Sequence, residues 1–562
     1  MCKNLKVMAL IAITAFVVAM PVTAQTLPDP DDGPAGLSSN TLRATAGLFG
    51  NSVDDSMSLT GWTGLEFDSW MGFVGYGGDL EFNPISLGYA TRLGGLYLGT
   101  WYTGNIVRST RDRSETLVVD YNLNEQRETG RTTTIIYDGN WRYSNNQIEA
   151  LFGTGNMGLK IGFWENLARE KEPDSTGITI TEGGNTIQYN DQNYIEYSRI
   201  IGHLRPSIDW GMELEVGDMT ITPSLGVALG FFLDRKILKD RGAYSTLNGA
   251  IVGDEEMNFV GFNNGFFAPA INLGVDIGLA QAEGSNASRY LSLGYGITFR
   301  SYNNSYDDSG VRSGKANGFV EWDASTTIDY SNTDHDIITD YVTLDFDDQS
   351  YVNHSISLGF TYENQVNDNF KFGIYAGLPI GITVQSSETH DEVFRRVVTQ
   401  YHNPNFTYRN TTVVTEEFSP KDLENTTTFS IAPELSFGAV YDLVPNRFSV
   451  NTGFRIMPFN YERDVVTTSR SSNQTITQTT TTDGEGNSSV TITSDGGGTD
   501  STRDFVERTS TWNRLEAGVF GGFTFHFNNN AALDMSIGLG NDPEAEFTFN
   551  ITNVNVLFSF RF

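Results

Sequence analysis

Apolar residues alternate with polar ones through most of this chain. The last ten residues, Asn553 to Phe562, place Val554, Val556, Phe558, Phe560 and Phe562 on one parity and Asn553, Asn555, Ser559 and Arg561 on the other, with Leu557 the one irregularity. A period of two is the mark of a strand with two different faces. Comparable segments recur from about Gly64 to the end, joined in pairs by very short connections. These lie at Arg92 to Gly95, Thr154 to Asn156, Gly217-Asp218, Ala282 to Ala287, Asn367-Asp368, Pro445-Asn446 and Asn528 to Asn530, and carry tight-hairpin chemistry. Between pairs run long polar stretches, 110–138, 166–196, 235–262, 305–348, 387–425 and 466–504.

Strict alternation of short and long connections fits a transmembrane antiparallel β-barrel, with short periplasmic turns and long extracellular loops. The pattern predicts an all-β chain of about 16 strands, within a range of about 14–18. Several polar stretches hold strand signals of their own. The pairs are "ETLVVDYN" with "RTTTIIYD", "VFRRVVTQY" with "FTYRNTTVV" and "TITQTTTT" with "SVTITS". They read as hairpins that extend the wall beyond the membrane, although the Thr/Ser/Gly-rich 465–502 is equally compatible with a disordered loop.

A weak repeat ends in glycine at Gly211, Gly274, Gly359, Gly438 and Gly518. Parity sets Ile208, Trp210, Met212, Leu214 and Val216 toward lipid, and Ser207, Asp209, Gly211, Glu213 and Glu215 toward the lumen. The repeated glycine is thus an inward position. It either leaves space for a lumen side chain or the N-terminal segment, or relieves strand curvature. The same parity predicts a pore lined by Asp209, Glu213, Glu215, Asp276, Glu363, Asp442 and Glu516, and by Lys160, Arg205, Arg300, Lys371, Arg455 and Arg514. The acidic positions gather near the short turns, which predicts a modest cation preference there.

The N-terminus bears on location. Lys3 and Lys6 precede an apolar run from Val7 to Val18, and small residues surround Ala24. Residues 1–24 read as a secretory signal peptide, leaving 25–60 as a periplasmic tail or a hatch in the lumen, and 61–562 as the barrel. Cys2, the one cysteine, falls in the signal, so disulfides and thiolate metal sites are not expected. The 58 glycines and 12% aromatics favour strands and turns over helix. A net charge of −33 argues against nucleic-acid partners.

With a signal peptide, alternating hairpins and a closing strand carrying Phe558, Phe560 and Phe562, the chain resembles Gram-negative outer-membrane β-barrel proteins of the porin and transporter type. The resemblance implies a place in the outer membrane, contact with its lipids, and recognition of the terminal aromatic strand by the barrel-assembly machinery. It leaves function open between a porin-like channel for small polar solutes or ions, a gated transporter for hydrophobic compounds with an N-terminal hatch, and a surface adhesin. A homo-oligomer is compatible with the resemblance.

No cofactor or metal is predicted. The acidic stretch from Asp323 through Asp329, Asp334, Asp336, Asp340, Asp345, Asp347 and Asp348 matches no calcium-loop spacing, and reads as a solvated loop tip. Enzyme chemistry is not expected from the six histidines. In the suggestive His354-Ser355 pair, adjacent strand residues point to opposite faces. His335, between Asp334 and Asp336, has no further support.

Overall fold

The computed structural model describes Leu59 and residues 70–561, apart from 80–84, 119–120, 123–126, 129–131, 173–178, 183–184, 190–194, 243–244, 248–249, 252–254, 280–285, 308–311, 330–334, 402–407, 446, 471–473, 484–487, 497–505, 529–530 and 542–548. The expected signal peptide at residues 1–24, all of segment 25–60 except Leu59, and Phe562 lie outside the described residues. So does most of the expected turn at Ala282 to Ala287.

The architecture is all-β, and its main sheet closes on itself. In chain order the wall runs through Trp70–Asp79, Ile85–Leu93, Leu96–Val118, Thr132–Thr154, Met157–Glu172, Ile195–Met212, Met219–Gly242 and Glu255–Gly278. It continues through Ala287–Tyr302, His335–Asn367, Phe370–Tyr401, Glu434–Val444, Phe448–Arg470, Val506–Asn528, Ala531–Asn541 and Phe549–Arg561. Each strand pairs antiparallel with its successor. The last returns to the first, setting Phe560 opposite Gly72 and Val554 opposite Gly78. A closed ring leaves no unpaired edge, which is what an all-β chain needs in a solvent that offers no hydrogen bonds.

The short connections form as hairpins because their residues accept the turn geometry. Gly155 and Gly217 adopt φ of 57° and 63°, a left-handed conformation that glycine tolerates without a Cβ clash. Register carries straight through these turns, with Thr154 opposite Met157 and Val216 opposite Met219.

Burial separates the two faces. Leu225, Val227, Leu229, Phe231 and Leu233 form one exposed apolar stripe of the outer face, and Leu159, Ile161 and Phe163 another. The inward positions between them include Gly226, Ala228 and Phe232, which are buried. At the short-turn end the outer face carries runs of aromatic rings in contact. Phe525, Phe527, Phe558 and Phe560 follow one another at centroid separations of 5.0, 5.9 and 5.8 Å, and Phe370, Phe372, Phe437 and Phe454 form a second run. Amphipathic and aromatic rings gather where an apolar belt meets a polar layer.

Among the described residues, the long polar stretches are largely strand. Wall strands extend far past the apolar belt, as in His335–Asn367 and Phe370–Tyr401, which stay in register from Gln365–Lys371 up to His335–Tyr401. The hairpin signals pair as their sequences suggest, Val393 with Glu417 and Thr477 with Thr493. Gly318–Asp329 inserts between Glu255–Gly278 and His335–Asn367. The short hairpin of Asn304–Asp307 and Ser313–Ala316 covers its outer face. There Tyr306, Ala316, Val320, Trp322, Val342, Leu344 and Phe346 make a buried apolar cluster. That cluster is why 305–348 holds structure despite its polar composition. Its alternation was concealed among aspartates.

Candidate lumen and its mouth

The inner wall follows from strand parity. Cross-strand register brings Lys160, Asp209, Glu149 and Arg205 to neighbouring inward positions on Thr132–Thr154, Met157–Glu172 and Ile195–Met212. Lys160 Nζ lies 3.6 Å from Glu149 Oε1, and Gln147 donates to the same carboxylate at 3.0 Å. Across the ring, Arg455 Nε reaches Glu434 Oε1 at 3.0 Å while Ser436 donates to that oxygen at 3.0 Å. Asp442 accepts from Ser449 at 2.5 Å, and Asp534 from Thr524 at 2.5 Å. Opposite charges therefore meet along the wall, and several of the predicted lining residues are held in pairs. Partnered side chains keep fixed orientations, which a passage lined by ordered charge requires.

Glu213 and Glu215 sit at the Gly217 turn, where Glu215 is exposed and the Glu213 carbonyl accepts a hydrogen bond from Asn156. Asp276 and Glu363 hold inward register positions opposite Thr222 and Gly373, Lys371 opposite Gln365, and Glu516 opposite Met457. Of Arg514 only the backbone register is described, opposite Asn460.

Higher on the same side, the inner wall is aromatic. His203 packs on Phe232 at 4.8 Å and beside Trp164 at 5.9 Å, Phe232 stacks on Phe266 at 5.0 Å, and Phe266 meets Tyr302 at 5.6 Å. Arg300 lies over Phe266 at 4.7 Å and Tyr351 at 4.0 Å, within cation–π range. These rings are buried at inward positions, so here side chains fill part of the lumen. Sequence reasoning placed Arg300 on this wall but missed the aromatic group. Phe232 lies on a different hairpin from Phe266 and Tyr302, and only register makes the three neighbours.

The repeated glycines face inward next to small partners: Gly274 opposite Gly294, Gly359 opposite Gly377, Gly438 opposite Gly453 and Gly518 opposite Gly540. At Gly211 the available space is occupied. A Cβ there would lie 3.1 Å from both Cβ and Cδ1 of Leu59, and a Cβ on Gly158 would run into the Leu59 carbonyl. Leu59, eleven positions ahead of Trp70, thus lies against the lumen face of two strands well along the ring from the first.

At the far mouth, the acidic stretch splits between faces. Asp340 turns outward and is held by Arg396 at 2.6 Å and Thr326 at 2.7 Å. Asp345 faces Asp391 and Glu321 on the other side. Burial, followed by those like charges, pushes its carboxyl above the ordinary aspartate value. Glu392 is held below the ordinary glutamate value by its hydrogen bond from His390 and by Arg312 at 2.5 Å. The acidic run is therefore not the solvated loop tip that its sequence suggests. Among the described residues no cluster has a metal-binding arrangement. His354 bonds Tyr295 at 2.9 Å on the outer face, on the parity opposite to Ser355. His335 packs on Tyr401.

No family model and no curated protein matches the chain. Among solved structures, it is similar to the Pseudomonas putida toluene transporter TodX at 11% identity, covering 96% of this chain and 99% of that one, with a TM-score of 0.29. It is similar to the copper transporter OprC at 9% identity, covering 88% and 80%, with a TM-score of 0.25. It is also similar to the ferric yersiniabactin uptake receptor FyuA from Yersinia pestis at 9% identity, covering 89% and 81%, with a TM-score of 0.26.

Proposed function

We propose that the chain is an outer-membrane barrel of sixteen wall strands that passes small solutes through a lumen restricted by its own N-terminal segment. The closed ring of pairings, the exposed apolar belt and the aromatic rows at the short-turn end support the membrane placement. The position of Leu59 carries the functional reading. A tail in the periplasm would leave the inner faces of Gly158 and Gly211 clear, whereas a hatch occupies them. Charged pairs such as Lys160–Glu149 and Arg455–Glu434 suit polar solutes or ions. The buried rings of Trp164, Phe232, Phe266 and Tyr302 favour a second reading, in which the cargo is apolar.

Planar-bilayer recording of the mature chain beside a variant lacking residues 25–60 tests the hatch. The full chain should show small or intermittent conductance, and the variant stable, larger steps. Equal, stable steps from both would mean that the segment restricts nothing. Uptake into vesicles by the full chain separates the cargoes: selective entry of aromatic hydrocarbons over sugars and salts would replace the polar reading with the apolar one.

A further inference from the structure

One lateral row of the outer wall is basic, in a chain with 69 acidic and 36 basic residues. Register sets Arg108 opposite Arg142, Arg142 opposite Arg169, Arg169 opposite Ile200, and Ile200 opposite Arg235. Arg142, Arg169 and Arg235 are exposed. Their parity is that of the apolar stripe: Arg142 shares it with Ile148 and Phe152, Arg169 with Leu159, Ile161 and Phe163, and Arg235 with Leu229, Phe231 and Leu233. The row therefore lies on the outer face at the edge of the apolar belt away from the short turns. Polar groups on the same face mark that edge. Ser144 and Asn146 donate to Glu165 at 2.9 and 3.1 Å, and Tyr102 donates to Asn146 at 2.7 Å.

Neighbouring strands stand about 4.8 Å apart, and like charges directly opposite one another destabilise a sheet. Farther out on this face the cations have carboxylate partners: Arg396 with Asp340, Arg312 with Glu392, Lys421 with Glu388. Among the described residues, Arg142, Arg169 and Arg235 form no such pair. An anion supplied from outside the chain would offset their repulsion. The groups that lie at this depth, directly above acyl chains, are lipid headgroups. Arginine's planar fork matches phosphate oxygens.

We propose that Arg142, Arg169 and Arg235 form a docking row for the phosphate headgroup of an anionic lipid in the leaflet on the side of the extended strands. This inference rests on the membrane-spanning reading above. Each arginine near a charged surface contributes about a fivefold preference, so three give about a hundredfold.

The test folds the full mature chain into neutral phosphatidylcholine vesicles and into the same vesicles doped with diphosphorylated lipid A. Wild-type protein should retain the phosphorylated lipid about a hundredfold over the neutral one, and its heat-unfolding midpoint should rise with doping. The triple variant R142Q/R169Q/R235Q should lose both effects while unfolding normally in neutral vesicles. The triple lysine variant should keep most of the preference. If the glutamine triple does not fold, R169Q alone should lose about fivefold. Failure of wild-type to insert into any vesicle would remove the membrane reading itself. Insertion with equal lipid preference in wild-type and glutamine variants would overturn the docking row alone. So would a midpoint rise in neutral vesicles from inorganic phosphate alone, since the site would then take a soluble anion.

Discussion

Gly211 and Leu59 show how much one side chain can decide. The glycine has a tight inner contact, and any larger residue there must displace Leu59. Gly211→Val should therefore dislodge the segment and enlarge single-channel conductance, in the same direction as deleting residues 25–60. An unchanged conductance would mean that Leu59 is not part of the restriction. At the mouth, Asp345 and Glu392 respond to pH with opposite signs. Asp345 titrates above its unfolded value, so the folded state binds the extra proton, and its contribution improves as pH falls through that raised value. Glu392 titrates below its unfolded value, so its contribution is present above the ordinary glutamate value and is lost as pH falls through the lowered one. Asp345→Asn should raise hydrogen-exchange protection of strand His335–Asn367 above the belt near neutral pH. It should also flatten the protection gained on mild acidification. Protection that still rises equally with acid would assign the effect to other groups.

Among the elements, the extended strands depart most from what their composition suggests. The stretch from Phe319 to Asp348 reads as a polar, acidic loop because aspartates punctuate it. In the fold its alternate residues, Val320, Trp322, Val342, Leu344 and Phe346, pack beneath the Asn304–Asp307 and Ser313–Ala316 hairpin. The covering hairpin lies just ahead of these strands in the same polar stretch, so only its folding back over them, and not its own composition, shows why these residues are apolar. Trp322→Ala should cost about 3–5 kcal/mol of local stability, as large core truncations do. It should release exchange protection in Gly318–Asp329 and the covering hairpin, leaving the belt region of the wall unaffected. Equal loss of protection around the whole ring would mean that the extension and the wall unfold as one unit.

For the whole molecule, the charge pattern of the lumen has a measurable consequence. Glu213 and Glu215 lie at one short turn, and Asp442 lies near another, opposite Ser449. Reversing all three to lysine should move the reversal potential toward anion selectivity. Asp442 also accepts a hydrogen bond from Ser449, so a folding check by heat-dependent gel mobility belongs beside the recording. No shift in a folded variant would place these carboxylates off the solute path. The aromatic group of Trp164, His203, Phe232, Phe266 and Tyr302 limits how open the lumen is on its side, and this could not be inferred from the list of charged positions alone.

Alternation by itself set the identity of the two faces, because a strand's side chains point alternately to opposite sides whatever surrounds it. The same local rule fixed the hairpins at Gly155 and Gly217, where the backbone needs glycine, and the inward parity of Gly211, Gly274 and Gly359. Closure, by contrast, depends on Phe549–Arg561 meeting Trp70–Asp79 across nearly the full length of the chain. The arginine row, the aromatic group and the seat of Leu59 each join residues from different hairpins at one height. Height is set by register accumulated around the ring, and so only the tertiary structure decided which side chains meet.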